Sequence, residues 1–199
     1  LWTLLQQKTP YTYTMMNTPR VPKNILHEIR YALGNYYPEF SSTVRKWTSS
    51  NELSDARIAW SMFKTYGDSF EKMFDFVMEH DLKDTMILVF SSAITVRGTL
   101  GDVSRARRFF MEKGIPVNSN HKLMKDDSLF ISTVNSSKGL ERKHVFCLLT
   151  FPLELAFANF SSDILMNLLT VGISRCMSSI HFCIRCFMDR FSPVLEHYK

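Results

Sequence analysis

Two kinds of apolar spacing alternate along this chain. Met86-Ile87-Leu88-Val89-Phe90 is an unbroken apolar run, the mark of a strand covered on both faces. Leu129-Phe130-Ile131 and the run from His144 to Thr150 are comparably dense, and Ser179–Ile184 reads as a terminal strand. Between these runs the apolar residues recur every three or four positions. Ile25, Leu26, Ile29 and Leu33 form one such set, and Phe70, Phe74, Val77 and Met78 another; each is one face of an α-helix. The first helix is expected to begin just past Pro22 and to close at Gly34-Asn35. The second should end near His80. A third, capped by Asp102, should run through Lys113 and stop at Gly114-Ile115-Pro116-Val117. Ile164–Val171 also reads as a helix.

The pattern weakens elsewhere. Leu1–Gln7 reads as a short helix and Pro10–Met16 as a strand stopped by the prolines at 19 and 22. Residues 38–56 are rich in Ser, Thr, Asn and Glu, with Trp47 as a large apolar anchor. A less regular helical or linker segment is therefore expected over about residues 38–66. Taken in order, strands alternate with helices, which predicts an α/β fold with a mainly parallel sheet flanked by helices. A chain of 199 residues suits one core, and a single domain over 1–199 is expected. There is no internal repeat.

Composition narrows the classes only a little. The 24 Lys and Arg residues against 19 Asp and Glu give a net charge of +5, compatible with nucleic acid and with many enzymes. No apolar run reaches the roughly 18 residues of a membrane span, and no signal-peptide pattern opens the chain, so an intracellular protein of cytoplasm or nucleus is expected. Cys147, Cys176, Cys183 and Cys186 lie in the last third among apolar neighbours, which favours reduced thiols over a disulfide framework. Cys183-x-x-Cys186 with His181 could be half of a zinc site. No second pair has suitable spacing, so buried strand cysteines are the expectation and no metal site is assigned. The chain opens on Leu1 as if inside an element, and reads as a fragment of a longer protein.

The chemistry concentrates in three places. An apolar run ends in the polar turn Asn135-Ser136-Ser137-Lys138-Gly139, followed by Glu141 and a second apolar run. That arrangement presents backbone donors and a few charges at a sheet edge. Leu168–Arg175 is an apolar run delivering a single arginine, and Asn17-Thr18-Pro19-Arg20-Val21-Pro22 sets another beside two prolines. On spacing alone Arg20 could be a solvated turn residue and Glu141 part of a charged loop with Arg142-Lys143. Arg175 calls for a partner. Arg97, Arg105, Arg107, Arg108 and Lys113 form a basic region for which a solvated helix face is the expected role, with phosphate contact the minority reading.

In order, these stretches resemble the UvrD/Rep-like superfamily 1A DNA helicases, in their C-terminal, second RecA-like motor domain. NTPRVP resembles motif IV, the Met86–Val117 region resembles the strand, loop and helix before motif V, Thr133–Glu141 resembles motif V, and VGISR resembles motif VI. The resemblance spans nearly the whole chain and implies a RecA-like fold without a large accessory insertion. It implies an ATP-dependent helicase or translocase on single-stranded DNA, with ATP and Mg²⁺ held jointly with an N-terminal RecA-like motor domain. Arg20 and Arg175 would be catalytic arginine fingers on the γ-phosphate, where a planar guanidinium neutralises charge in phosphoryl transfer. Gly139 and Glu141 would bind nucleotide, the latter through the ribose; Thr133, Asn135 and Lys138 would face nucleic acid.

The chain also departs from the family. Pro19 stands where relatives often place an aromatic that stacks on adenine, and Cys176 follows Arg175 where alanine is usual. There is no G-x-x-x-x-G-K-[ST] phosphate loop and no acidic strand end for Mg²⁺, so this chain alone should not hydrolyse ATP. The rival expectations are a catalytically inactive nucleic-acid-binding or partner module with a helicase-like fold, the helicase half of a helicase–nuclease, and an unrelated α/β enzyme.

Overall fold

The computed structural model of the chain describes residues 17–36, 46–53, 56–90, 101–118, 127–137, 139–150 and 171–185. Its strands are β1 (Asn17–Pro22), β2 (Thr48–Asn51), β3 (Arg57–Phe63), β4 (Thr85–Phe90), β5 (Val117–Asn118), β6 (Leu129–Thr133), β7 (Arg142–Leu149) and β8 (Cys176–Arg185). Its helices are α1 (Lys23–Tyr36), α2 (Tyr66–Met78) and α3 (Asp102–Glu112). Six strands form one sheet in the order β3-β8-β7-β4-β6-β5, every pairing parallel. β1 and β2 form a separate parallel pair. The expected α/β fold with a parallel sheet flanked by helices is what the chain adopts.

The sheet is the middle layer of three. β4 is buried at all six positions, as its apolar run requires, and alternate residues feed two cores. Met86, Leu88 and Phe90 join Val145, Cys147, Leu149, Ile180 and Phe182 under Val21, Ile25 and Leu26 of β1 and α1. Ile87 and Val89 face the other way, with Phe146, Leu148 and Ile131, under Met73, Phe76 and Val77 of α2 and Ala106 and Phe110 of α3. The described cysteines are buried and unpaired, and Cys186 lies outside the described residues. Burial pushes the Cys147 thiol well up, Cys176 to about 12 and Cys183 to about 11. They are packing residues, not nucleophiles.

Helix ends follow local chemistry. Thr65 and Asp68 form a reciprocal capping box on α2, which holds the Asp68 carboxyl below its ordinary value. α3 ends in a Schellman turn: Gly114 has φ +78°, Gly114 N–H donates to Met111 O and Ile115 N–H to Phe110 O. Asp102 is not the cap expected of it. Gly101 holds that position, and the Asp102 carboxylate instead accepts from Tyr66 Oη (3.1 Å) and Thr150 Oγ1 (2.6 Å), tying α3 to α2 and to the end of β7.

Three further expectations are corrected. The prolines at 19 and 22 do not stop a strand, because Asn17–Pro22 is one; Pro is admissible in such a two-stranded edge pair. Segment 38–66 is not a helical or linker stretch where it is described, since it contains β2 and β3. α1 also runs past Gly34-Asn35 to Tyr36. Leu1–Gln7, Pro10–Met16 and nearly all of Ile164–Val171 lie outside the described residues.

An imidazole on the α2 face makes stability sensitive to acid. His181 stacks on Phe146 at 4.9 Å, and its Nε2 lies 2.8 Å from Ser61 Oγ. Burial, helped by the charge of Lys72, lowers its pKa to about 4. Below an ordinary imidazole value near 6.5 the unfolded chain takes up the proton while the folded chain does not, so stability falls as pH drops from about 6.5 to 4. Allowing for screening of a part-exposed ring, the loss is about 2 kcal/mol. Urea midpoints across this window should fall with acid in the parent chain and stay flatter in His181→Asn.

Candidate functional site

Three expected residues from distant parts of the chain meet at the amino edge of the sheet. Arg20 sits on β1, Glu141 just before β7, and Arg175 just before β8. Arg20 Nε is ion-paired with Glu141 Oε2. The Arg175 guanidinium donates to Val171 O (3.2 Å), Leu140 O (3.2 Å) and Ser174 Oγ (2.8 Å). Its pKa is lowered by burial and by the nearby charge of Arg20, with Glu141 opposing the shift. One carboxylate thus stands among two guanidinium groups, and the cluster carries a net positive charge facing partly to solvent.

Backbone contacts brace this cluster. Arg142 N–H donates to Arg175 O at 3.1 Å, and Arg175 N–H to Gly172 O at 3.1 Å. Gly139 has φ +85°, so a glycine is favoured there by the turn itself; a Cβ at that position would meet nothing within 4 Å. Gly172 is favoured for the opposite reason, close packing. A Cβ there would lie 3.0 Å from Phe90 Cζ and 3.3 Å from Cys147 Sγ, so a side chain on the turn that delivers Arg175 would press on the core and Phe90 or Cys147 would have to give by a few tenths of an ångström. Gly172→Ala is expected to cost about 1–3 kcal/mol as an overpacking change, read as a lowered urea midpoint; an unchanged midpoint would show that the turn can lift freely.

The residues expected to face nucleic acid lie at the other end of the sheet. Thr133 ends β6 and pairs with Val89, whereas His144 near the start of β7 pairs with Thr85. Four strand residues separate those levels, about 13 Å at 3.3 Å per residue. Thr133 Oγ1 donates to Ser136 Oγ (2.9 Å) and accepts from Ser136 N–H (3.2 Å). Asn135 is exposed, and Lys138 lies outside the described residues. The structure therefore divides the expected set in two: Arg20, Glu141 and Arg175 together, Thr133 and Asn135 apart from them.

The basic region of α3 is not simply a solvated face. Arg105 lies over the Tyr66 ring at 5.1 Å, Lys113 over Phe74 at 5.2 Å, and Arg107 Nη2 donates to Ile131 O at 3.4 Å. Arg108 pairs with Glu112 at 2.8 Å; Arg97 lies outside the described residues. These contacts bind α3 to its own domain.

Sequence reasoning gave no role to Asn51, Ser174 or Gly172, although the last two stand inside the VGISR stretch. Ser174 Oγ accepts from Arg175 while donating to Val171 O at 2.8 Å. A small residue and a hydroxyl beside a delivered arginine were the available signals. Asn51, in the polar segment before β3, offered none.

Among the described residues no group of His, Cys, Asp and Glu is arranged to hold a metal ion, and no helix is long and apolar enough to cross a membrane. No family model matches the chain, and no curated protein does. The chain is similar in structure to the C-terminal domain of a possible DNA helicase from Lactobacillus plantarum WCFS1, with a TM-score of 0.56 and 12% identity, over 84% of this chain and 88% of that one. At that identity the likeness concerns the fold, which is that of a RecA-like α/β domain.

Proposed function

We propose that this chain is the second motor domain of an ATP-dependent translocase on single-stranded DNA, of the superfamily 1A kind. The observation that carries the reading is the meeting of Arg20, Glu141 and Arg175. Three motifs spread along the chain from residue 20 to residue 175 deliver two guanidinium groups and one carboxylate to one spot. The helicase-domain likeness of the fold supports it.

The location supports a role completed across a cleft. Open parallel sheets bind their own ligands outside the carboxyl ends of the strands, and this cluster lies at the amino ends. A nucleotide cradled by another domain would present its terminal phosphoryl group here. Arg20 and Arg175 would then neutralise the charge spread over its oxygens, and Glu141, released by Arg20, would accept from the ribose hydroxyls. The donor set does not fit Mg²⁺. Its one carboxylate is already opposed by two cations, whereas Mg²⁺ calls for an oxygen-rich site, so carboxylate ligands for the metal belong to the other domain. Thr133 and Asn135 would contact the strand from the carboxyl edge, with Lys138 adding a positive charge, while the arginines would act at the opposite, amino edge.

A second reading, a binding module that has lost turnover, is favoured by the Arg20–Glu141 pair, because each charge there already has an opposite charge beside it without a ligand. ATP turnover by the natural polypeptide that carries this chain, with and without single-stranded DNA, separates the two. DNA-stimulated hydrolysis supports the motor; nucleic-acid binding with no hydrolysis supports the module and sinks the motor.

A further inference from the structure

β2 is four polar residues, Thr48-Ser49-Ser50-Asn51, and its side chains do more than complete a strand. Ser49 Oγ is buried and donates to Val21 O at 2.5 Å, and it accepts from Asn51 N–H at 3.0 Å. The Asn51 amide reaches in two directions. Its Nδ2 donates to Arg20 O at 2.7 Å and to Met177 O at 3.3 Å, while Oδ1 accepts from Leu53 N–H at 3.1 Å. The partners fix which end is which: carbonyl oxygens only accept and a backbone N–H only donates, so a flipped amide would fail at all three.

The two carbonyls belong to the two arginine-bearing segments. Arg20 O is the backbone of the β1 arginine itself, and Met177 lies two residues past Arg175. β1 is not a strand of the six-stranded sheet, so it has no ladder to hold Arg20 in register with β8. The Asn51 side chain supplies a direct hydrogen-bonded bridge between them.

We propose that Asn51 is a positioning residue that sets the spacing of Arg20 and Arg175, the two guanidinium groups that would close on one phosphoryl group; its bearing on catalysis rests on the motor reading above. Two cations acting on one transferred group are sensitive to displacement, since a misplacement of about 1 Å can cost on the order of 10²-fold in rate. Aspartate at this position has nearly the same shape but no N–H donors, and it turns a carboxylate towards two carbonyl oxygens.

Two measurements test this. In the chain itself, the Asn51 side-chain amide protons should exchange with solvent much more slowly than those of exposed Asn135. Exchange at the Asn135 rate would overturn the bridge, and this needs no variant that must fold. In the natural polypeptide carrying the chain, Asn51→Asp should lower kcat for ATP by roughly 10–100-fold with KM near wild type, a loss at a temperature well below the melting midpoint and out of proportion to the fall in that midpoint. An unaltered kcat in Asn51→Asp, alongside collapsed kcat in Arg20→Ala and Arg175→Ala, would overturn the positioning role and leave the motor standing. Loss of kcat in step with a lowered melting midpoint would overturn it in favour of a purely structural role. If neither arginine variant affects turnover, the motor reading falls and the positioning role with it.

Discussion

On the motor reading, replacing Arg175 by alanine in the natural polypeptide that carries this chain is expected to lower kcat for ATP by about 10³-fold or more, with nucleotide affinity close to wild type. The expectation follows from where the guanidinium stands. Arg175 is part-buried, its pKa is depressed by burial and by Arg20, and its hydrogen bonds within the domain run to two carbonyls and to the hydroxyl of Ser174. A cation held there in the ground state is poorly neutralised, and it gains most when negative charge develops beside it. The effect therefore belongs to the transition state, which is why it should appear in kcat and not in binding. Arg175→Lys keeps the charge but not the planar fork, and is expected to recover little of the loss. The alanine variant also frees Leu140 O and Val171 O, so turnover must be compared with the melting midpoint. A kcat within about threefold of wild type in a folded variant would rule out the finger role, given the 10³-fold scale of such residues.

Phe146→Ala should be among the most damaging core substitutions, at about 3–5 kcal/mol. Phe146 is fully buried in β7. Its ring lies 5.4 Å from Phe76 of α2 and stacks on His181 at 4.9 Å with 20° between planes. Removing it breaks a contact that joins a central strand, the helix above it and the neighbouring strand. Since the gap adjoins a part-exposed imidazole, water should enter, and the His181 pKa should rise towards an ordinary value. Two readouts are thus linked: a lowered urea midpoint at neutral pH, and a weaker further loss between about pH 6.5 and 4. A cost below about 1 kcal/mol would mean that α2 collapses into the space.

How much of this was legible in the sequence depended on what holds each element. β4, β6, β7 and β8 lie in the body of the sheet and carry dense apolar runs, so their pattern was plain. α2 and α3 each bury one stripe, and the 3.6-residue period showed. β2 and β3 did not show. β2 has no apolar stripe to read and is held by the hydroxyl of Ser49 and the amide of Asn51. β3 is an edge strand whose alternating Ile58, Trp60 and Met62 were obscured by being read together with the polar segment before them. Asp102 had the right residue type for a cap but found better partners in Tyr66 and Thr150, a tertiary choice that local spacing cannot contain. The proximity of Arg20, Glu141 and Arg175 was foreseeable through resemblance alone, since their separation along the chain hides it. Gly172 was visible as a residue but its close packing was not, because Phe90 and Cys147, which crowd it, come from two other strands.

The link between β6 and β7 has a consequence of its own. Both strands pair with β4, one on each side, so the eight intervening residues, 134–141, must pass over β4 from the carboxyl edge to the amino edge. Parallel crossovers usually take a dozen residues or more and a helix. Here a single 3₁₀ turn at Asn135–Ser137 suffices, with Val134 and Leu140 pressed into the core on the α1 side. A tether this short, pinned at both ends, has little length to spare. On the motor reading, linkage would work in both directions: whatever factor a nucleotide drawing on Glu141 imposes on the affinity for nucleic acid at Thr133, nucleic acid at Thr133 would impose on the affinity for nucleotide.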